Sequence, residues 1–305
     1  MVVRVVRRWR EAAQTSDIVF VAYVAFSGLL LVAFGWQLGT GLWVGLTLAH
    51  AALLLVGTWA GSQPLRGRSL KGLLRDIYPF IFIFYLYFEI RYLALLFSDG
   101  FHDATVQRWE LALFGEQLAM TLSQRFPDLW LSEVMHFFYA FYWFLLPAAA
   151  LLLYFRGRLK GLRDLVYAEL VVFFGCYLVF IFWPVQGPHY EFPVIGGRLA
   201  EGPMYRWVHW VLEDGGSKGA AFPSSHVAVA VTILAVTWRR DRLVWAVTLP
   251  FVIGLTLSTV YGRFHYGIDA LTGWVAATLF VPLAWRIAPY LKRIVRPSTG
   301  NGGGG

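Results

Sequence analysis

The chain has 305 residues, of which 58% are hydrophobic, 18% aromatic and only 14% charged. Soluble domains carry roughly 25% charged residues, so a water-soluble globular protein is excluded, and the net charge of +8 reflects membrane topology rather than a nucleic-acid partner. The single cysteine, Cys176, excludes an intramolecular disulfide framework and a cysteine-based metal site.

Met1 to Arg10 is basic, lacks a small-residue cleavage site and leads into two apolar blocks in succession, so a retained first span is expected rather than a signal peptide. Apolar blocks of about 20 residues, enough to cross ~30 Å of hydrocarbon as helices, predict spans at 17–36, 41–60, 77–97, 132–155, 165–184, 223–238, 243–262 and 267–287. The expected fold class is all-α, a polytopic membrane helix bundle of about eight transmembrane helices. Residues 1–76 form a basic tail with two extra helices, 77–290 a six-helix catalytic core, and 291–305, which end in STGNGGGG, a disordered cytoplasmic tail.

The basic residues orient this bundle. With the N-terminus inside, 19 of the 26 lysines and arginines fall in the N-terminal tail, 61–76, 156–164, 239–242 and the C-terminal segment, which predicts that both termini are cytoplasmic. The expected setting is the plasma membrane of a bacterium. The similar loops RGRSLKGLLRD (66–76) and RGRLKGLRD (156–164) either trace an internal repeat or satisfy the same charge rule twice.

Three segments, 98–131, 185–222 and 263–266, cannot be spans, and all fall on the outer side. His102, His136, His189, His209, His226 and His265 lie in or next to them, leaving His50 deep in a span. Such a bias suits a water-facing reaction site at one membrane face. Within this set His136, like His50, reads as a core or interfacial residue, and Asp103 and Glu110 read as structural, helix-capping residues. Met204–Leu212 (MYRWVHWVL) interleaves Trp207 and Trp210 with Arg206 and His209, the pattern of a short helix lying in the interface.

Two motifs carry the chemistry. In Ser258–Gly273 (STVYGRFHYGIDALTG), His265 and Asp269 stand four apart. Helical spacing puts them on one face, where a carboxylate can accept from one imidazole nitrogen and leave the other basic and nucleophilic. The same pair also fits a structural staple or two metal ligands. In Phe222–Ala228 (FPSSHVA), Pro223, Ser224 and Ser225 open a helix whose free N–H groups and dipole favour an anion. His226 stands there as a group able to give and take a proton near neutral pH.

These stretches resemble the second and third signature motifs of the type 2 phosphatidic acid phosphatase (PAP2) superfamily. Pro223, Ser224, Ser225 and His226 match the second motif; Ser258, His265 and Asp269, flanked by Val260, Tyr261, Tyr266, Leu271 and Gly273, match the third. The resemblance implies a nucleophilic His265, an orienting Asp269 and an acid/base His226, acting through a phosphohistidine without metal or other cofactor. Thr259 occupies the place of the family's third-motif arginine, and WPVQGPHYEFP (183–193) stands where its basic first motif belongs. These departures, with DATVQRWELALFG (103–115), are similar to the branch that contains inositol phosphorylceramide synthase.

With the usual cations missing, Arg263, Lys218 and Arg91 are the candidate phosphate ligands, with His189 and Gln186 as uncharged donors beside Ser224 and Ser225. The expected partners are the bilayer, a lipid phosphate or phospholipid substrate and, for a transferase, an alcohol, inositol or glycolipid acceptor. Water as acceptor would make the protein a lipid phosphate phosphatase. A lipid transporter or a catalytically inert assembly factor is the reading from another class, but matched Gly/Pro-broken helices and mid-membrane acidic chains are lacking.

Overall fold

The computed structural model describes residues 8, 9 and 11–295; the tail beyond them and the basic residues Arg4, Arg7 and Arg10 lie outside that range. In chain order the helices are α1 (Thr15–Phe34), α2 (Thr40–Gly61), α3 (Leu70–Leu93), α4 (Asp103–Phe114), α5 (Leu118–Arg125), α6 (Leu129–Phe155), α7 (Leu159–Phe182), the single turn α8 (Pro188–Glu191), α9 (Pro203–Gly215), α10 (Ser225–Arg240), α11 (Arg242–Tyr261) and α12 (Gly267–Val295). No strand occurs among the described residues. The bundle's outer surface is apolar, with Leu29, Leu55, Ile81 and Leu279 between 62% and 71% exposed, as a surface facing hydrocarbon must be.

Among the described residues, seven helices are long and apolar enough to cross a membrane. The eighth expected span is α10, whose 16 residues extend only about 24 Å. It needs no lipid-facing stripe because it stands at the centre, packed between α6, α7, α11 and α12. Its run of Ala228, Val229, Ala230 and Val231 is buried all round, and such small side chains let neighbouring backbones approach closely.

Several helices begin inside segments expected to be loops. α3 starts at Leu70 rather than at residue 77, because Ser69 caps it by accepting from the Gly72 N–H at 3.1 Å. α7 starts at Leu159 rather than at 165. The basic residues in these first turns are engaged across the bundle. Arg75 bonds to the buried Asp17 of α1 at 2.6 Å, Arg163 to Asp76 at 2.9 Å, Arg156 and Arg158 both to Asp241, and Arg240 to Asp164. α12 runs on to Val295, past the end expected for the last span, because no helix-breaking residue follows Pro289 until Pro297. The expected interfacial helix is α9, with Trp207 and Trp210 exposed along it. The two amphipathic helices α4 and α5 fill the long segment 98–131.

Candidate active site

The site forms where three loops meet at the end of the bundle away from those ion pairs. Residues 183–193 follow α7, 216–224 precede α10, and 262–266 join α11 to α12. The first two are knitted as a short parallel bridge, Val185 N–H donating to Gly219 O at 3.2 Å and Ala221 N–H to Val185 O at 2.9 Å. The second is tied to α12 by Ser224 N–H, which donates to Asp269 O at 3.0 Å. The third is a tight turn in which the Phe264 and His265 N–H groups both donate to Thr259 O, so Thr259 serves this turn through its backbone.

These connections bring the two motifs together. His265 Nε2 lies 3.2 Å from His226 Nδ1, and His265 Nδ1 lies 3.5 Å from Asp269 Oδ2. The second distance exceeds that of a normal hydrogen bond. His265 Nδ1 and Asp269 Oδ1 are both buried without a hydrogen-bond partner, while Asp269 Oδ2 accepts from the Tyr266 N–H at 2.9 Å. Catalytic hydrogen bonds commonly tighten only with substrate bound, and this dyad has one nitrogen aimed at its carboxylate and the other at the second histidine. Burial, and then the neighbouring His226, hold the His265 imidazole well below the ordinary histidine range, which favours the neutral ring. Ser224 caps α10, its Oγ accepting from the Val227 N–H at 3.3 Å, and Ser225 follows it, buried.

Two cavities meet at His226. One, of about 60 Å³, is polar and holds His265, His226, His189 and Gln186. The other, of about 230 Å³, runs between α3, α6, α7 and α9 and is lined almost entirely by apolar and aromatic side chains, among them Phe84, Phe88, Tyr142, Trp143, Phe173 and Tyr177. Tyr87, Tyr139, Leu212 and Gly216 belong to both. The Tyr142 ring centroid lies 4.3 Å from that of His226.

The candidate phosphate ligands separate into two groups. His189 and Gln186 are in the polar cavity, and burial lowers the His189 pKa. Arg263, Lys218 and Arg91 do not line it. Arg263 sits at φ 61°, a left-handed conformation that few non-glycine residues adopt. Its guanidinium donates to Pro193 O and, at 3.4 Å, to Ser123 Oγ. Arg91 donates to Gly216 O at 2.9 Å, at the cavity rim. Lys218 is exposed with its ammonium 5.4 Å from the Tyr190 ring centroid.

Of the four remaining outer histidines, His102 stacks on Trp183 and the other three cluster. His136, His189 and His209 surround the Phe264 ring, with the His209 ring centroid 5.7 Å from that of His136 and 5.8 Å from that of His189. Burial, then the two neighbouring histidines, push His209 down to about 4. His50 bonds to Ser27 at 2.9 Å and lies 3.4 Å from Glu89 inside the bundle, away from the site. Among the described residues no three His, Cys, Asp or Glu side chains converge so as to hold a metal ion.

A family model described as the PAP2 superfamily matches residues 105–283. No curated protein and no solved structure matches the chain. The matched segment is more than half of the chain, runs from α4 into α12 and contains both histidines and their aspartate. Three inward-facing residues of two motifs, assembled at one end of an all-α membrane bundle and matched by that model, mark phosphatase-type chemistry, and the chain belongs to the PAP2 superfamily.

Proposed function

We propose that the protein transfers a phosphoryl or phospho-head group from a lipid donor to an alcohol, in the manner of the inositol phosphorylceramide synthase-like branch, at the non-cytoplasmic face. The carrying observation is that His226 belongs at once to a polar cavity shared with His265 and to an apolar one open along the helices. A lipid phosphate has the same two-part chemistry, a polar head beside an apolar chain.

In this reading the phosphate enters the polar cavity, and the His226 ring gives up its contact with His265. Nε2 of His265 attacks phosphorus, the bond from phosphorus to the leaving oxygen breaks, and that oxygen takes a proton from His226. The phosphohistidine carries positive charge on the ring, which Asp269 stabilises from Nδ1. An acceptor hydroxyl then loses its proton to His226 and its oxygen attacks phosphorus, breaking the P–N bond and restoring both histidines. No step requires a metal. With Lys218 and Arg91 outside the polar cavity and Arg263 bonded to Pro193 and Ser123, the donors left near the phosphate are His189, Gln186, the hydroxyls of Tyr87, Tyr139, Tyr190 and Ser217, and the N–H groups at the start of α10, where the helix dipole adds its field.

The test is to incubate the full chain in detergent with radiolabelled short-chain phosphatidic acid or phosphatidylinositol, with and without inositol or a diacylglycerol acceptor. Acid-labile label on the protein, lost in His265→Ala, and a new phosphodiester product are expected. Release of free phosphate or head group alone, whatever the acceptor, would identify a hydrolase, and undiminished turnover in His265→Ala would overturn the mechanism.

A further inference from the structure

We propose that Asp103 and Glu110 of α4 are positioning residues of the phosphoryl-transfer site. The inference rests on the functional reading above. The two carboxylates are seven residues apart, two helical turns, and so project from one face of α4, both of them buried.

Asp103 is held by three donors. Its Oδ1 accepts from the Tyr266 hydroxyl at 3.0 Å and the Gly187 N–H at 2.8 Å, and its Oδ2 from the Gln186 N–H at 2.9 Å. Gln107, one turn further along the same face, donates its side-chain amide to the Tyr266 hydroxyl at 3.0 Å. Glu110 takes the next position: its Oε2 accepts from the Ile268 N–H at 3.0 Å and its Oε1 from the Leu118 N–H at 2.9 Å. Burial raises the Glu110 pKa, opposed by these backbone donors.

The three residues between nucleophile and partner, Tyr266, Gly267 and Ile268, are therefore fastened from α4 at both ends. Tyr266 also donates its N–H to Asp269 Oδ2. Across the polar cavity the same Asp103 fixes Gln186 and Gly187, the segment that stands where the family's basic first motif belongs. Gly187 has φ 95°, and a Cβ there would lie 3.0 Å from that of Ala221, so this segment has little freedom of its own. Two carboxyl side chains thus lie behind the turn on which a cationic phosphohistidine forms. An amide at either place would put an NH₂ against N–H donors and remove the charge.

Staples that served only the fold would lower stability without selecting a kinetic step. The experiment measures single-turnover phosphorylation of His265 by short-chain phosphatidic acid and phosphatidylinositol in the full chain, for wild type, Asp103→Asn, Glu110→Gln, Tyr266→Phe and the Asp103→Asn/Tyr266→Phe double variant. Each single variant is expected to slow the chemical step by about 10- to 100-fold with KM held within about twofold. The double variant is expected to be no slower than Asp103→Asn alone, because both remove one contact. Tyr266→Phe deletes only a hydroxyl, so it decides the matter where Asp103→Asn fails to fold. Wild-type rates in Tyr266→Phe, multiplying losses in the double variant, or a loss carried by KM would overturn the positioning role. An inactive wild type would overturn the functional reading and this one with it; an active wild type with unaffected variants would overturn this one alone.

Discussion

The chemistry of His265 is decided by what surrounds its ring. His226 faces Nε2 at 3.2 Å, Asp269 lies 3.5 Å from Nδ1, and His189 and Gln186 look on from across the polar cavity. Burial and the neighbouring histidine lower its pKa, so the neutral, nucleophilic form persists below the ordinary histidine value of about 6.5. The acid limb of kcat/KM is therefore expected below pH 6.5. A diester substrate should be used for this measurement, because a monoester has its own ionisation near pH 6. A limb at or above 6.5 would mean that the ring is solvated, or that Asp269 outweighs burial and His226. That His226, His265 and Asp269 would come together was legible in sequence because it rests on spacing within short motifs. Arg263 shows where that reasoning ends. Two residues from His265 in sequence, it leaves the turn at positive φ and gives its two terminal nitrogens to Pro193 and Ser123, with its buried Nε unpartnered. Side-chain direction at such a turn follows from one backbone dihedral that spacing does not reveal.

At the scale of elements, the site depends on how closely α12 crosses the start of α10. Gly273, one turn beyond Asp269, faces the cap of α10: a Cβ there would meet Ser224 O at 2.6 Å and Val227 Cβ at 2.9 Å. The backbone oxygen cannot rotate away, so Gly273→Ala must push the helices apart, and with them His265 from His226. A displacement approaching 1 Å in a reacting pair costs about 100-fold in rate. The variant is expected to elute as a folded protein in detergent yet lose activity on that scale; retained wild-type turnover would show that the crossing has slack. Helix existence was legible from the apolar blocks, whereas helix starts were not. Hydropathy sees Arg75, Asp76 and Arg163 as loop residues, but cross-bundle ion pairs allow them inside α3 and α7. α4 and α5 went unread as helices because both are too short and too polar to stand out as apolar blocks. Asp103 and Glu110 gave no sign in sequence of which backbone they would hold.

For the whole molecule, alternating helix directions put both ends of the described chain at the face with the Arg/Asp pairs, and the three site loops at the other. The excess of lysine and arginine at the first face is the ground for expecting that face in the cytoplasm. The chain offers a clean test of this orientation. Its single cysteine, Cys176, is buried in α7 and will resist reagents in the folded state, so a second cysteine can be read against a silent background. Lys218 is exposed beside the site, and Arg293 is exposed near the far end of α12. In intact cells a membrane-impermeant maleimide is expected to label Lys218→Cys and spare Arg293→Cys, with both labelled once the membrane is opened. Labelling with the opposite preference would invert the topology and place the reaction at the cytoplasmic leaflet, where the donor lipids and acceptors are different. The same two variants bear on function, because a substrate supplied from outside should reach His265 in sealed vesicles only when the Lys218 face is exposed.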